Sequence, residues 1–278
     1  MKKIILFIWI LVSPMMAFSL FDEKASDKEY LQLVTLLKDI TIDTQKIRGL
    51  TNSFNNGNVA AQLLVYGQRE ALAKDIEKIE ALMAKVNVDA SISKEAKALA
   101  KKLRKWNSKA FRKESSVVFA SYTTIIESWM RLNGTVIKTY FKKSDAKVYM
   151  ALTMMNQTLL PLTENIGKLR GMGSGIVARG SCNEKETPKM KLFASNIEKY
   201  RVEMQAYFKK NGCRRFSTRK LAQFDVKIAD YTTLVNQKVI GQETITLDAN
   251  KYFDQGTACI GDVVSIYDAM AEELAKQL

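Results

Sequence analysis

Apolar positions recur at steps of three and four along most of this chain. Leu33, Leu37, Ile40, Thr44, Ile47, Thr51 and Phe54 form one seam, which predicts a helix with a single core-facing stripe. Ser26 and Glu29 make an S-x-x-E capping box at its start, and Asn55, Asn56 and Gly57 end it. The spacing predicts further helices over 59–86 and 93–110, and one that starts near 114 and continues past 130. From about 147 the pattern restarts with Leu152, Met155, Leu159, Leu162, Ile166, Leu169, Gly173 and Ile176. Pro161 should kink this helix or mark a break before it. Thr187 reads as an N-cap with Pro188 at the first helical position, and Thr246 or Asp248 opens a last helix that runs to the C-terminus. Strand-like runs are few and there are only three prolines, so the fold class is all-α.

The restart is an internal repeat. QKIRGLTNSF at 45–54 matches GKLRGMGSGI at 167–176, DIEKI at 75–79 matches NIEKY at 196–200, and FASYTTII at 119–126 matches FDQGTACI at 253–260 through F-x-x-x-T-x-x-I. Matches in the same order argue for duplication. The expected architecture is two tandem, pseudo-duplicated four-helix bundles, the first over 20–143 and the second over 144–278.

The repeat aligns Arg48 with Arg170, each one residue beyond a seam position and so on the edge of a buried face. Each is followed by Gly, a long apolar residue and a small one. A singly placed edge arginine usually lays its stem on the core and points its head at water. Here Gly167, Gly171 and Gly175 recur every four residues, a bare ridge on a helix, although each helical glycine costs about 1 kcal/mol relative to alanine. Such a ridge lets another backbone or a small ligand approach closely. Asp43 and Glu164 lie on neighbouring turns but do not share the seam edge, so the expected partner of a partly buried guanidinium is an exogenous oxyanion. Arg69, beside Gln68, is a second candidate, and Arg179 reads mainly as a helix-end charge. Thr51, Ser174 and Thr257 offer hydroxyls, which in helices more often bond to their own backbone.

Composition narrows the chemistry. The chain has 278 residues, of which none is histidine, and its three cysteines form no metal motif. No catalytic, metal or cofactor set stands out, so the expectation is a protein that is not an enzyme. A helix over 187–211 would span roughly 35 Å, which holds Cys182 and Cys213 at opposite ends and argues against their pairing. Cys259 reads as a small core side chain. The first stretch, MKKIILFIWILVSPMMAFS, reads as a secretory signal over 1–19: two lysines, an apolar core, then Ala17 and Ser19 at peptidase spacing. The alternative is an uncleaved inner-membrane anchor. The predicted location is periplasmic. The net charge is +14 and stays strongly positive after the two leader lysines leave, which for an exported chain favours anions over nucleic acid as partners. The basic run KALAKKLRKWNSKAFRK at 97–113 reads as a solvated face, with weak attraction to anionic surfaces as the alternative.

QKIRGLTNSF with YGQREALAKD in the first half, and GKLRGMGSGIVARG with YFDQGTACIGDVVSIYDAM in the second, resemble the nitrate- and nitrite-sensing (NIT) domain family over nearly all of the chain beyond 1–19. The resemblance implies two helical bundles with nitrate or nitrite held by arginines near their interface. It singles out Arg48 and Arg170, and Arg69 through the Q-R pair; Thr51 and Ser174 stay candidates from their place beside the arginines in the sequence. No output domain follows the sensor-like part, so the signal is expected to pass to a partner, a membrane receptor or a histidine kinase; a homodimer is a separate expectation. The competing function is a non-catalytic structural or adaptor protein of the cell envelope.

Overall fold

Ser26 and Glu29 form the predicted capping box: the Glu29 amide donates to Ser26 Oγ at 3.4 Å and the Ser26 amide to Glu29 Oε2 at 3.0 Å. This computed structural model describes residues 25–212 and 217–278, so the leader over 1–19 and Cys213 lie outside the described residues. The helices are α1 (Asp27–Asn55), α2 (Ala61–Lys85), α3 (Ala90–Asn107), α4 (Ser115–Phe141), α5 (Ala146–Met154), α6 (Leu160–Arg179), α7 (Thr187–Asn211), α8 (Thr218–Lys238) and α9 (Ala249–Gln277). No strand occurs among the described residues, and the fold class is all-α.

The α1 seam is buried as its period requires, with Leu33, Leu37, Ile40, Thr44, Ile47 and Thr51 closed to solvent. Several boundaries move by a few residues. Asp89 accepts from the Ser91 amide, so α3 starts and ends three residues earlier than its spacing suggested. Glu186 holds the N-cap position of α7, and Thr187 is already helical. The sequence reading named no separate helix over 218–238. There α8 buries Phe224, Ile228, Tyr231 and Val235, a period of three and four that was present in the sequence.

The α-helical pattern breaks just before Pro161: α5 ends at Met154 and α6 begins at Leu160, with the proline in its first turn. Proline offers no amide to the carbonyl one turn back. The chain answers with a π-turn over Met155–Leu159, where the Leu160 amide reaches Met155 O, and helix continues on both sides.

Helices α1 to α4 pack mainly on one another, and α6 to α9 do the same. The broad contact between these groups is α1 against α6. The two run parallel: Gln45 reaches Thr163, Arg48 reaches Glu164, and Asn52 Nδ2 donates to Gly171 O at 2.7 Å. Lys38, buried in α1, adds a second link through Asp268 of α9 at 2.7 Å. The glycine ridge of α6 makes the approach possible, because Gly167, Gly171 and Gly175 all face α1 side chains or backbone.

Candidate anion-binding site

Each helix group brings an arginine, a phenylalanine and a threonine to the α1–α6 contact. In the first, Arg48 Nη1 donates to Thr123 Oγ1 at 2.8 Å, and its guanidinium lies 4.8 Å from the Phe119 ring centre. In the second, Arg170 Nη1 donates to Thr257 Oγ1 at 2.8 Å, and its guanidinium lies 4.5 Å from the Phe253 ring centre. These are the matched positions of the repeat, so F-x-x-x-T marks one face of α4 and of α9, four residues apart, that receives an arginine. A buried cation over a ring face gains about 2 kcal/mol, which offsets part of its desolvation.

The rings also cross between halves. A Cβ on Gly49 would meet Phe253 at 3.1 Å, and one on Gly171 would meet Phe119 at 3.2 Å. Each phenylalanine therefore carries its own arginine and fills the glycine notch of the opposite helix. Gly256 opens room for the Arg170 stem and the Tyr231 hydroxyl, both within 3.0 Å of where its Cβ would stand.

The two arginines are buried far more deeply than an edge position suggests, Arg48 at 0 % and Arg170 at 2 % exposure. A single bundle would leave that edge wet, and here the second helix group covers it. The expectation that neither arginine has an acidic partner is corrected for Arg48. Glu164 of α6 takes it in a bidentate pair, Nη1 to Oε1 at 2.6 Å and Nη2 to Oε2 at 3.1 Å. The partner comes across the parallel helix contact, where neither helix's own period could reveal it.

Arg170 has no such partner. Among the described residues no carboxylate lies within ion-pair distance of it. Burial pushes its guanidinium down to about 10, and the positive charge of Arg48 pushes the same way, while Tyr231 and Glu164 oppose it. It therefore remains a cation at neutral pH. Its Nε finds no acceptor among the described residues, nor does Nε of Arg48. Arg170 is thus a buried positive charge with an unpartnered Nε beside Gly49, whose Cβ position is 3.8 Å from Nε and from Nη2.

The remaining sequence candidates go elsewhere. Ser174 donates to the Arg170 carbonyl at 2.8 Å and so serves its own helix. Thr51 is buried with an unpartnered hydroxyl and sits with Arg69 near Tyr122. Arg69 lies 4.5 Å from the Phe111 ring, in a cluster inside the first helix group. Arg179 pairs with Glu186 at 2.6 Å, as a helix-end charge does. Thr257 is at the site. Glu164, Thr123, Phe119 and Phe253 are site residues that the sequence reading did not select. The repeat held the signal for the last three, since it aligned both rings and both hydroxyls.

A cavity of about 450 Å³ opens beside Phe119 and Thr123, between the helix groups, with Lys168, Lys189 and Glu186 on its wall. It lies on the side of the contact formed by Phe119 and Thr123, the ring and hydroxyl that hold Arg48.

The model of the nitrate and nitrite sensing family matches residues 39–275. No curated protein matches the sequence. Among solved structures, the chain is similar to that of the NasR transcription antiterminator, with a TM-score of 0.69 and 10% identity over 90% of this chain and 68% of that one. At that identity the likeness concerns the fold. With both arginine–phenylalanine–threonine sets inside the matched span, the chain belongs to the nitrate and nitrite sensing family.

Proposed function

We propose that this protein is an exported, non-catalytic sensor that binds nitrate or nitrite at the α1–α6 contact and signals through a partner. The observation that carries the reading is Arg170: a buried cation that donates to Thr257 and has no carboxylate within ion-pair distance among the described residues. Such a charge is expensive to bury unless something neutralises it. A planar oxyanion matches the two N–H groups on the open edge of a guanidinium. Nitrate and nitrite are small, planar and weakly hydrated, so they lose little on entering a site lined by Phe253 and two helix backbones.

An anion there touches residues of both helix groups, Arg170 from one and Gly49 from the other. Binding then favours whichever arrangement of α1 against α6 brings these closest, a population shift driven by differential contacts. The leader-like segment supports a periplasmic location, and a membrane receptor or histidine kinase is the fitting recipient of the signal. The structurally similar protein is a transcription antiterminator. An exported chain meets no transcript, and we infer no nucleic-acid partner here.

The test is thermal unfolding of the protein in nitrate, nitrite, chloride and sulfate at matched ionic strength. A site filled to about 100 times its dissociation constant adds roughly 2.7 kcal/mol, a rise of several degrees for a chain of this size. The rise is expected with nitrate or nitrite alone and should vanish in Arg170→Ala. Equal curves in all four salts would turn the assignment to a structural or adaptor protein of the envelope. Cell fractionation with N-terminal sequencing of the recovered protein tests the export.

A further inference from the structure

The repeat continues eight residues back from each arginine, to Ile40 and Leu162, with mismatches that include the sixth position. ITIDTQKIRG at 40–49 aligns with LTENIGKLRG at 162–171, which sets Ile42 opposite Glu164. The ring, the hydroxyl and the following glycine are duplicated around each arginine. The carboxylate is present once. Its two oxygens accept from Nη1 and Nη2 of Arg48, the kind of paired N–H bonding that an oxyanion also takes from a guanidinium.

The position of Arg48 has followed the carboxylate. Arg170 lies over Gly49, whereas the nearest neighbours of the matching Gly171 are Phe119 and Gly49 rather than Arg48. Arg48 Nη2 is instead 3.2 Å from the Cβ position of Gly167, one turn nearer to Glu164. Lys168 steadies the acid from the other side, 3.6 Å from Oε1.

We propose that Glu164 is a tethered internal ligand: its carboxylate fills the oxyanion seat of Arg48 and competes there with the incoming anion. This inference rests on the oxyanion reading above and adds its regulation. Glu164 neutralises one of two equivalent cations, so the pocket carries one surplus positive charge and answers to a single anionic charge. An oxyanion at Arg170 recruits Arg48 only by displacing Glu164, which Lys168 stands ready to receive. The strength of the internal pair therefore sets the concentration at which the protein responds.

Titration calorimetry with sodium nitrate and sodium nitrite, with sodium chloride as control, tests this on the folded protein. Glu164→Gln keeps the size of the side chain and removes its charge, and it should bind the anion at least tenfold more tightly than the wild type. Ile42→Glu installs the missing carboxylate at the half-buried matched position and should weaken binding at least tenfold by seating on Arg170. Circular dichroism confirms the fold of each variant, and Ile42→Glu decides the matter if Glu164→Gln does not fold. Folded Glu164→Gln with unchanged or weaker binding would overturn the proposal and leave Glu164 as a holder of Arg48. Ile42→Glu binding like the wild type would overturn it as well. Wild-type binding that depends on Arg170, together with either of those results, leaves the oxyanion site standing without its competitor. Absence of anion binding in the wild type and in Glu164→Gln removes both readings.

Discussion

Gly49 and Gly171 face each other across the contact between the two helix groups, so closely that a Cβ on Gly171 would lie 3.3 Å from the Gly49 Cα. They are also equivalent positions of the repeat, each directly after its arginine. Equivalent residues in mutual contact on parallel helices place a pseudo-twofold axis between α1 and α6. The arginines flank that axis, which is why a duplicated sequence makes one site rather than two distant ones.

Gly171→Ala therefore carries opposing terms. Alanine favours the helix by about 1 kcal/mol, but overpacking against Gly49 and Phe119 costs about 1–3 kcal/mol. The expected outcome is net destabilisation and loss of anion binding. Gly67→Ala, in open space on α2, is the control and should stabilise by up to about 1 kcal/mol. Urea unfolding of both variants measures the difference.

The two arginines should differ in their stability cost. Arg48→Ala leaves Glu164 buried without its main partner and is expected to cost about 3–5 kcal/mol. Arg170→Ala removes a buried cation that has no carboxylate, and should cost under about 2 kcal/mol while abolishing the response to nitrate. Similar losses in chemical denaturation would show that the charge asymmetry of the site has been misjudged.

Threonine to valine substitutions separate the half-sites in another way. Thr257→Val takes away the hydroxyl that holds Arg170 Nη1 and should weaken anion binding about tenfold, the equivalent of one hydrogen bond to a charged group. Thr123→Val leaves Arg48 its two bonds to Glu164 and should change affinity by less than about threefold. Calorimetric affinities of the pair decide this.

Asp43 gives a dependence on pH that is independent of the anion. Burial, with Asp75 adding repulsion, pushes its carboxyl up to about 6. The folded protein thus holds this proton more tightly than the unfolded chain does. The group's contribution to stability is present below about pH 4 and lost as the pH rises through about 6. Asp43→Asn should stabilise by about 1 kcal/mol at neutral pH, after discount for its partial exposure, with the gain fading toward about pH 4. Melting curves at neutral and acid pH test both the sign and the window.

Much of this protein is written in its local sequence. The seam from Leu33 to Phe54, the Ser26–Glu29 box and the helix restart near 147 depend on periodicity and capping within a few residues, and they appear in the structure where the spacing put them. The repeat identified Arg48 and Arg170 as a pair, and its F-x-x-x-T match already held the rings and hydroxyls that receive them. The glycine ridge announced a close approach. What the sequence alone did not decide is what approaches. A helix's own period says which residues share a face, but not how far a second helix slides along it. The parallel register of α1 on α6 follows from the packing of both helix groups together. That register delivers Glu164 to Arg48 and Arg170 to Gly49, and sends Arg69, Thr51 and Ser174 to other duties. The arginines come from the sequence, and the single unpaired charge between them comes from the tertiary fold.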